Sequence, residues 1–381
     1  MTKYSLFILS LCCLTAAHAQ QQTAEIFKAT AAKIKTLKSI SYKVQFTDKN
    51  PFSKDDIATG KSTASILFNQ DGTVKYKREK TNINDGQTVY QSIYKTGRLY
   101  GLSLPDSTYT DEEPKEKVTT DITAFTTLLI DNLNKNPQKI IRKADTVFRN
   151  KRCFNFLIKL YDSLLNGNHD YTYKQILIEQ KTMLPAYLKE TGAGMTYKEG
   201  LPLGRLIFFN EKSFSDIKIN QKVAVLPLET TGFTKPNTQM LDIGAKAPAL
   251  VIKDLSGGIP DVKIGNKKLL LIIFGATDCP ANPLANPMVN RIYTKYATDN
   301  FAIVNIYTNE TTDQVKKYIE ANNIKFPVYT ASRKLGKEFK TAGTPNFYLI
   351  DKNGIVVSKS KGYAESLEER FTKEIDKLLG K

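Results

Sequence analysis

The chain has 381 residues, of which 41% are hydrophobic and 24% charged, an ordinary soluble composition with length for two or three cores. It carries a formal charge of +17 but only four cysteines and two histidines, too few Cys and His for a zinc centre, and no metal or cofactor motif is expected. Export, argued next, sets aside a nucleic-acid partner despite the basic balance. The remaining readings of the charge are a solvated lysine-rich surface or attraction to anionic lipid headgroups.

Lys3 precedes an apolar run from Tyr4 to Ala16, and Ala17-His18-Ala19 forms an A-x-A signal before Gln20. This pattern predicts a secretory signal peptide over 1–19, cleaved after Ala19, and a periplasmic or otherwise extracytoplasmic location. Cys12 and Cys13 leave a lipoprotein reading open, although Leu11 and Cys12 precede them where a small residue is expected. No later stretch approaches ~20 apolar residues, so no transmembrane helix is expected. Cleavage leaves one histidine, His169, and two cysteines, Cys153 and Cys279. His169 lies in the turn-like stretch Asn166-Gly167-Asn168-His169-Asp170 and reads as an exposed loop residue. An exported chain permits a disulfide, but sequence does not bring the two cysteines together.

The elements follow in chain order. Thr23 to Leu37 reads as an amphipathic helix, with Ile26, Phe27, Thr30, Ile34 and Leu37 at helical spacing. Ile40, Tyr42, Val44 and Phe46 alternate as in a strand. Further strands are predicted over 62–68, 73–77, 88–94 and 98–102, separated by breakers such as Asp71-Gly72 and Thr96-Gly97. A helix over 122–133 precedes strands over 152–161, 171–179, 186–190, 204–209 and 214–219. This pattern predicts an α+β domain over 20–225, an antiparallel sheet backed by helices. Cys153 falls on the strand face opposite Phe154, Phe156, Ile158 and Leu160, the less apolar side. A linker is placed at 226–240, where the pattern dissolves into Pro, Thr and Gly.

From Leu241 strands and helices alternate, as in an α/β domain over 241–381. Leu269 to Ala276 is a nearly continuous apolar run, expected for a buried central strand. A helix over 283–297, a strand over 301–308 and a helix over 312–322 follow. Strands over 326–330, 347–351 and 355–359 and a helix over 366–379 complete the domain.

Phe274-Gly275-Ala276-Thr277-Asp278-Cys279-Pro280-Ala281-Asn282 ends the central strand and opens a helix. Pro287 follows Cys279 inside that helix, Gly343-Thr344-Pro345 precedes the strand Phe347 to Asp351, and Leu241-Asp242-Ile243-Gly244 with Pro248 leads in. Together these segments resemble the TlpA-like thioredoxin-fold (redoxin) family over 241–381. The resemblance implies a Phe-x-x-x-x-Cys-x-x-Cys site with Cys279 as candidate nucleophile. It also implies a cis Thr344–Pro345 loop facing Cys279, and an adjoining edge that takes protein thiols or extended peptide segments. A cysteine at a helix N-terminus meets free N–H groups and the positive dipole end, which favour thiolate, while Asp278 opposes it.

Departures from the family pattern are plain. Asn282 replaces the resolving cysteine, so the motif cannot close its own disulfide. Gly275 and Asp278 stand where aromatic residues usually flank the cysteine, and Ile273 stands where thioredoxin has a buried acid. The peroxiredoxin pattern is not met, since Ile272 and Ala276 occupy its proline and threonine positions.

Leu37-Lys38-Ser39-Ile40-Ser41-Tyr42, a leading helix and many alternating strands are similar in pattern to LolA-like periplasmic domains. That similarity implies a curved sheet around an apolar groove that holds a lipid or other apolar ligand. Tyr171, Tyr173, Phe208 and Phe209 are candidates either for the groove or for core. Two functions follow. One is thiol-disulfide exchange, or thiol-dependent protein binding, through a degenerate Cys-x-x-Asn site. The other is a non-enzymatic binding protein with an apolar-ligand groove and a thioredoxin-like docking scaffold.

Overall fold

The computed structural model describes residues 20–53, 56–83, 88–165, 167–198, 201–236, 239–296, 300–341 and 343–380. The predicted signal peptide, 1–19, lies outside the described residues. The chain divides into two compact units. Met1–Lys49, Ala58–Met195 and Arg205–Thr234 form the first, and Asn50–Ile57, Thr196–Gly204 and Lys235–Lys381 the second. Among the described residues no helix is long and apolar enough to cross a membrane.

The first unit opens with α1 over residues 20–35. β1 (Ser39–Lys49), β2 (Ile57–Phe68), β3 (Val74–Ile83), β4 (Thr88–Lys95), β5 (Arg98–Ser103) and β6 (Thr108–Glu112) follow. α2 (Asp121–Lys135) then leads to β7 (Ile140–Phe148), β8 (Lys151–Leu165), β9 (Asn168–Glu179), β10 (Leu184–Lys198) and β11 (Leu201–Ile219). They make one 11-stranded sheet in the order β6-β5-β4-β3-β2-β1-β11-β10-β9-β8-β7. Two meanders therefore meet at the antiparallel β1–β11 pair, where Val44 lies opposite Phe214. This is a large antiparallel sheet with helices. Its main core packs Phe27 and Ile34 of α1 and Ile122, Phe125 and Leu129 of α2 onto Ile40, Val44, Ile66, Phe156 and Ile176. The Phe27 and Phe156 rings meet edge-on at 4.8 Å.

Several features of this unit differ from expectation, the edge strand β6 being one that no alternation marks. The strands expected over 204–209 and 214–219 are one strand, β11. The polar residues Asn210, Glu211 and Lys212 between them stay in the ladder, opposite Asp48, Thr47 and Phe46. Lys212 is also anchored to Asp121 at 2.8 Å. β7 is an edge strand, and its polar run Arg142-Lys143-Ala144-Asp145 has no clear alternation to read, which an edge position tolerates. Cys153 does face away from the main core, but it is fully buried. A small satellite core of Leu177, Ala186, Phe148 and Tyr187 covers it, and burial raises its thiol pKa.

The second unit holds a 6-stranded sheet in the order β12-β15-β14-β13-β16-β17. Its strands are β12 (Ile252–Lys253), β13 (Leu269–Gly275), β14 (Phe301–Tyr307), β15 (Val328–Ala331), β16 (Asn346–Asp351) and β17 (Val356–Lys361). Its helices are α3 (Ala281–Tyr296), α4 (Thr312–Ala321), α5 (Arg333–Glu338) and α6 (Leu367–Leu379). β13 pairs parallel with β14 and antiparallel with β16. All of β13 is buried because both faces are covered. Leu269, Leu271 and Ile273 meet α3, α4 and α6 on one side. Leu270, Ile272 and Phe274 meet Leu335, Phe339 and the lead-in residues Met240 and Leu241 on the other. The short α5, with only Leu335 and Gly336 buried, was too brief to read as a period.

Candidate active site

Parallel strands β13 and β14 end side by side, with Gly275 opposite Tyr307. The loops leaving their C-terminal ends therefore meet, as the crevice rule for parallel sheets requires. The first loop, Ala276 to Pro280, carries Cys279 to the start of α3. The second carries Glu310, whose Oε1 accepts the Thr277 N–H at 2.9 Å and whose Oε2 accepts the Asn309 N–H at 3.1 Å. Burial raises the Glu310 carboxyl above its usual range, and nearby Asp278 adds to this against the two N–H bonds. Within the same unit, Asn50 Nδ2 donates to the Thr277 carbonyl at 3.1 Å.

Cys279 is partly exposed and has no disulfide. Its Sγ lies 3.1 Å from the Thr344 carbonyl, to which the thiol donates. The Thr344–Pro345 bond is cis. Pro345 in turn accepts the Gly362 N–H at 2.8 Å, which ties the loop to the end of β17. The structure thus brings Cys279, Thr344 and Pro345 together. Asn282 is buried at 3% exposure, one helical turn along from Cys279, and its Nδ2 donates to the Ala276 carbonyl at 2.7 Å.

Sequence reasoning missed three residues here. Glu310 is one, and the position of an acid just past a strand parallel to β13 was the available signal. The others are Tyr307 and Tyr318, both fully buried, with rings 5.9 Å apart. A Cβ on Gly275 would lie 3.1 Å from Tyr307 Cζ, so this ring packs against the bare backbone of Gly275. Tyr318 OH takes a hydrogen bond from Asn286 Nδ2 at 3.3 Å, and burial pushes its pKa well up, with Cys279 a lesser contributor. Nothing in the local sequence marks either tyrosine, because Tyr307 is placed by the pairing of β14 with β13 and Tyr318 by the packing of α4 in the same core.

His169 also differs from expectation. It stands in β9 rather than in a loop, hydrogen-bonded through Nε2 to Asp162 Oδ1 at 2.7 Å and stacked on Tyr171 at 5.0 Å. The β8–β9 hairpin continues to within a residue of Gly167, which draws His169 into the ladder opposite Leu164. Tyr171 and Tyr173 pack on each other at 4.9 Å, and Phe208 lies over Gly192.

The central mixed sheet, the cysteine opening α3 and the cis-proline loop beside it define a thioredoxin-fold thiol domain. Residues 266–356 match the family described as Thioredoxin-like. Over 146 residues the chain is 34% identical to the thiol-disulfide oxidoreductase ResA of Bacillus thuringiensis subsp. konkukian, covering 37% of this chain and 82% of that protein. It is 34% identical over 140 residues to the protein of the same name from Bacillus cereus strain ATCC 10987, covering 35% and 80%. A solved structure titled as a putative thiol:disulfide interchange protein DsbE from Chlorobium tepidum is 24% identical, with 36% of this chain and 99% of that one covered and a TM-score of 0.34. The chain belongs to the TlpA-like thioredoxin-fold redox family.

Proposed function

We propose that this is an extracytoplasmic protein whose second unit exchanges disulfides with protein thiols through a single nucleophile, Cys279. The observation that carries the reading is the partly exposed Cys279 thiol, held 3.1 Å from the carbonyl of Thr344 beside Pro345. In the reaction the Cys279 thiolate attacks one sulfur of a partner disulfide. That S–S bond breaks, a mixed disulfide forms, and the leaving sulfur departs as thiolate. Asn282 has no thiol to give, so a second thiol from outside the motif, on a protein or a small molecule, must attack the mixed disulfide to complete the exchange. An extended partner segment would offer its own N–H to the Thr344 carbonyl in place of the Cys279 thiol. Export would place this chemistry where disulfides persist.

The test is to incubate the protein with a disulfide-bonded peptide and read intact mass. One peptide adduct should form on Cys279 and disappear in Cys279→Ser, while buried Cys153 stays unmodified in the folded protein. No adduct on folded protein would reject the reading. A second reading gives the first unit an apolar ligand, and the helix-covered antiparallel sheet favours it. Saturable binding of a fluorescent fatty-acyl probe would support it, and absence of saturation would remove it.

A further inference from the structure

The face of the first sheet turned away from α1 and α2 is polar and cationic along its centre. Tyr42, Val44, Ala64 and Ile66 point into the main core. By strand alternation Lys43, Lys61, Thr63, Arg78 and Lys80 point the other way. A cavity of about 390 Å³ hollows that face and is lined by Lys43, Lys61, Lys80 and Arg149. A second, of about 330 Å³, shares Thr63 and Lys80 with it and adds Arg78 and Lys222. All of these residues lie in the first unit.

Among the described residues no acidic side chain lines either cavity. Lys43 is paired with Asp216 at 2.7 Å, an exposed contact that water screens. Arg149 comes from the β7–β8 turn, with φ of 49°, and its Nη2 donates to Gln45 Oε1 at 3.2 Å, which holds the guanidinium at the hollow. Arg78 Nη2 donates to Gln91 Oε1 at 3.2 Å, while its buried Nε has no hydrogen-bond partner among the described residues. A concavity lined by one sign of charge focuses its potential and draws counter-ions. The hydroxyl of Thr63 in the first cavity, and those of Ser41 and Ser65 in the second, are donors to anionic oxygen.

We propose that this hollow binds a small polyanion bearing two or more phosphoryl groups. Ammonium groups serve phosphate as point charges, and most of the cations here are lysines. The cations are spread over two adjoining cavities, so a single phosphate would satisfy only one end. The combined size is that of a small-molecule site. A bilayer surface is flat and would meet the rim rather than the floor.

The experiment titrates pyrophosphate and orthophosphate into the protein beginning at Gln20, by calorimetry at physiological ionic strength. Pyrophosphate should bind saturably, one per chain, and at least about tenfold tighter than orthophosphate. The double variant Lys61→Gln/Lys80→Gln should weaken it by about tenfold or more with an unchanged unfolding midpoint. Thr63→Asp, a charge placed where the two cavities join, should abolish it. Lys373→Gln, on α6, should leave it intact. No saturable heat, or equal affinity in parent and double variant, would overturn the proposal. So would co-sedimentation with phosphatidylglycerol–phosphatidylcholine vesicles that the double variant loses while pyrophosphate never binds, since the cations would then serve a membrane surface.

Discussion

Asn282, one helical turn after Cys279, uses its buried amide to hold the Ala276 carbonyl. Asn282→Cys should therefore have two effects. Losing the hydrogen bond should cost about 1 kcal/mol of stability. Supplying the resolving thiol should raise insulin-reduction turnover by on the order of tenfold or more. Rapid multiple turnover by the parent, retained in Cys153→Ser, would contradict this account of the site.

Glu310 gives a prediction with a definite sign. Burial raises its carboxyl in the folded state. Stability from such a group is fully present below the unfolded pKa and is lost as pH rises through the folded one. Glu310→Gln is neutral at every pH and has no such loss, and like the protonated carboxyl it offers one carbonyl oxygen to the two N–H groups. The stability of the parent relative to the variant should thus be highest near pH ~4 and fall toward pH ~7. Amide exchange of β13 reads this directly. An advantage that grows with pH would mean the Thr277 and Asn309 N–H bonds outweigh burial.

At the scale of elements, α2 depends on its first turn. Thr120 caps it and Thr123 returns the bond, a reciprocal capping box made by two threonines. Thr120 is buried at 3% exposure, so water cannot replace it. Thr120→Ala should destabilise the first unit by about 1–2 kcal/mol, measured by denaturant midpoint. Thr120→Ser should recover most of the loss. Elements with strong periodicity were legible before the structure: α1, β1, β8 and β13 all carry alternating or helical apolar sets. β7 and α5 were not, because an edge strand and a helix with few buried residues need little hydrophobic pattern. β11 was read as two strands because its polar middle answers to pairing with β1 rather than to burial.

For the whole molecule, the stretch 226–240 is mostly exposed and has no helix or ladder strand among its described residues. Limited proteolysis should cut there first, giving two fragments near the predicted domain sizes, as exposed irregular backbone is cut preferentially. First cleavage inside β13 or β8 would argue against that division. The charge of +17 reads differently once the fold is known. In sequence it is a lysine-rich surface without an address. The sheet gathers Lys43, Lys61 and Lys80, from three different strands, beside Arg149 from a fourth position in the chain.

The sequence by itself determined the local features of the site: an apolar strand, a cysteine at a helix start, an asparagine one turn further on and a proline loop. Each is set by residues within one strand, turn or helix, where period and spacing speak directly. Only the tertiary structure decided what surrounds them. Glu310 reaches Thr277 because β13 and β14 run parallel, Tyr307 fills the space over Gly275 for the same reason, and Cys153 is buried by residues from β7, β9 and β10. Those contacts join segments far apart in the chain, and strand order and register, not local pattern, bring them within reach.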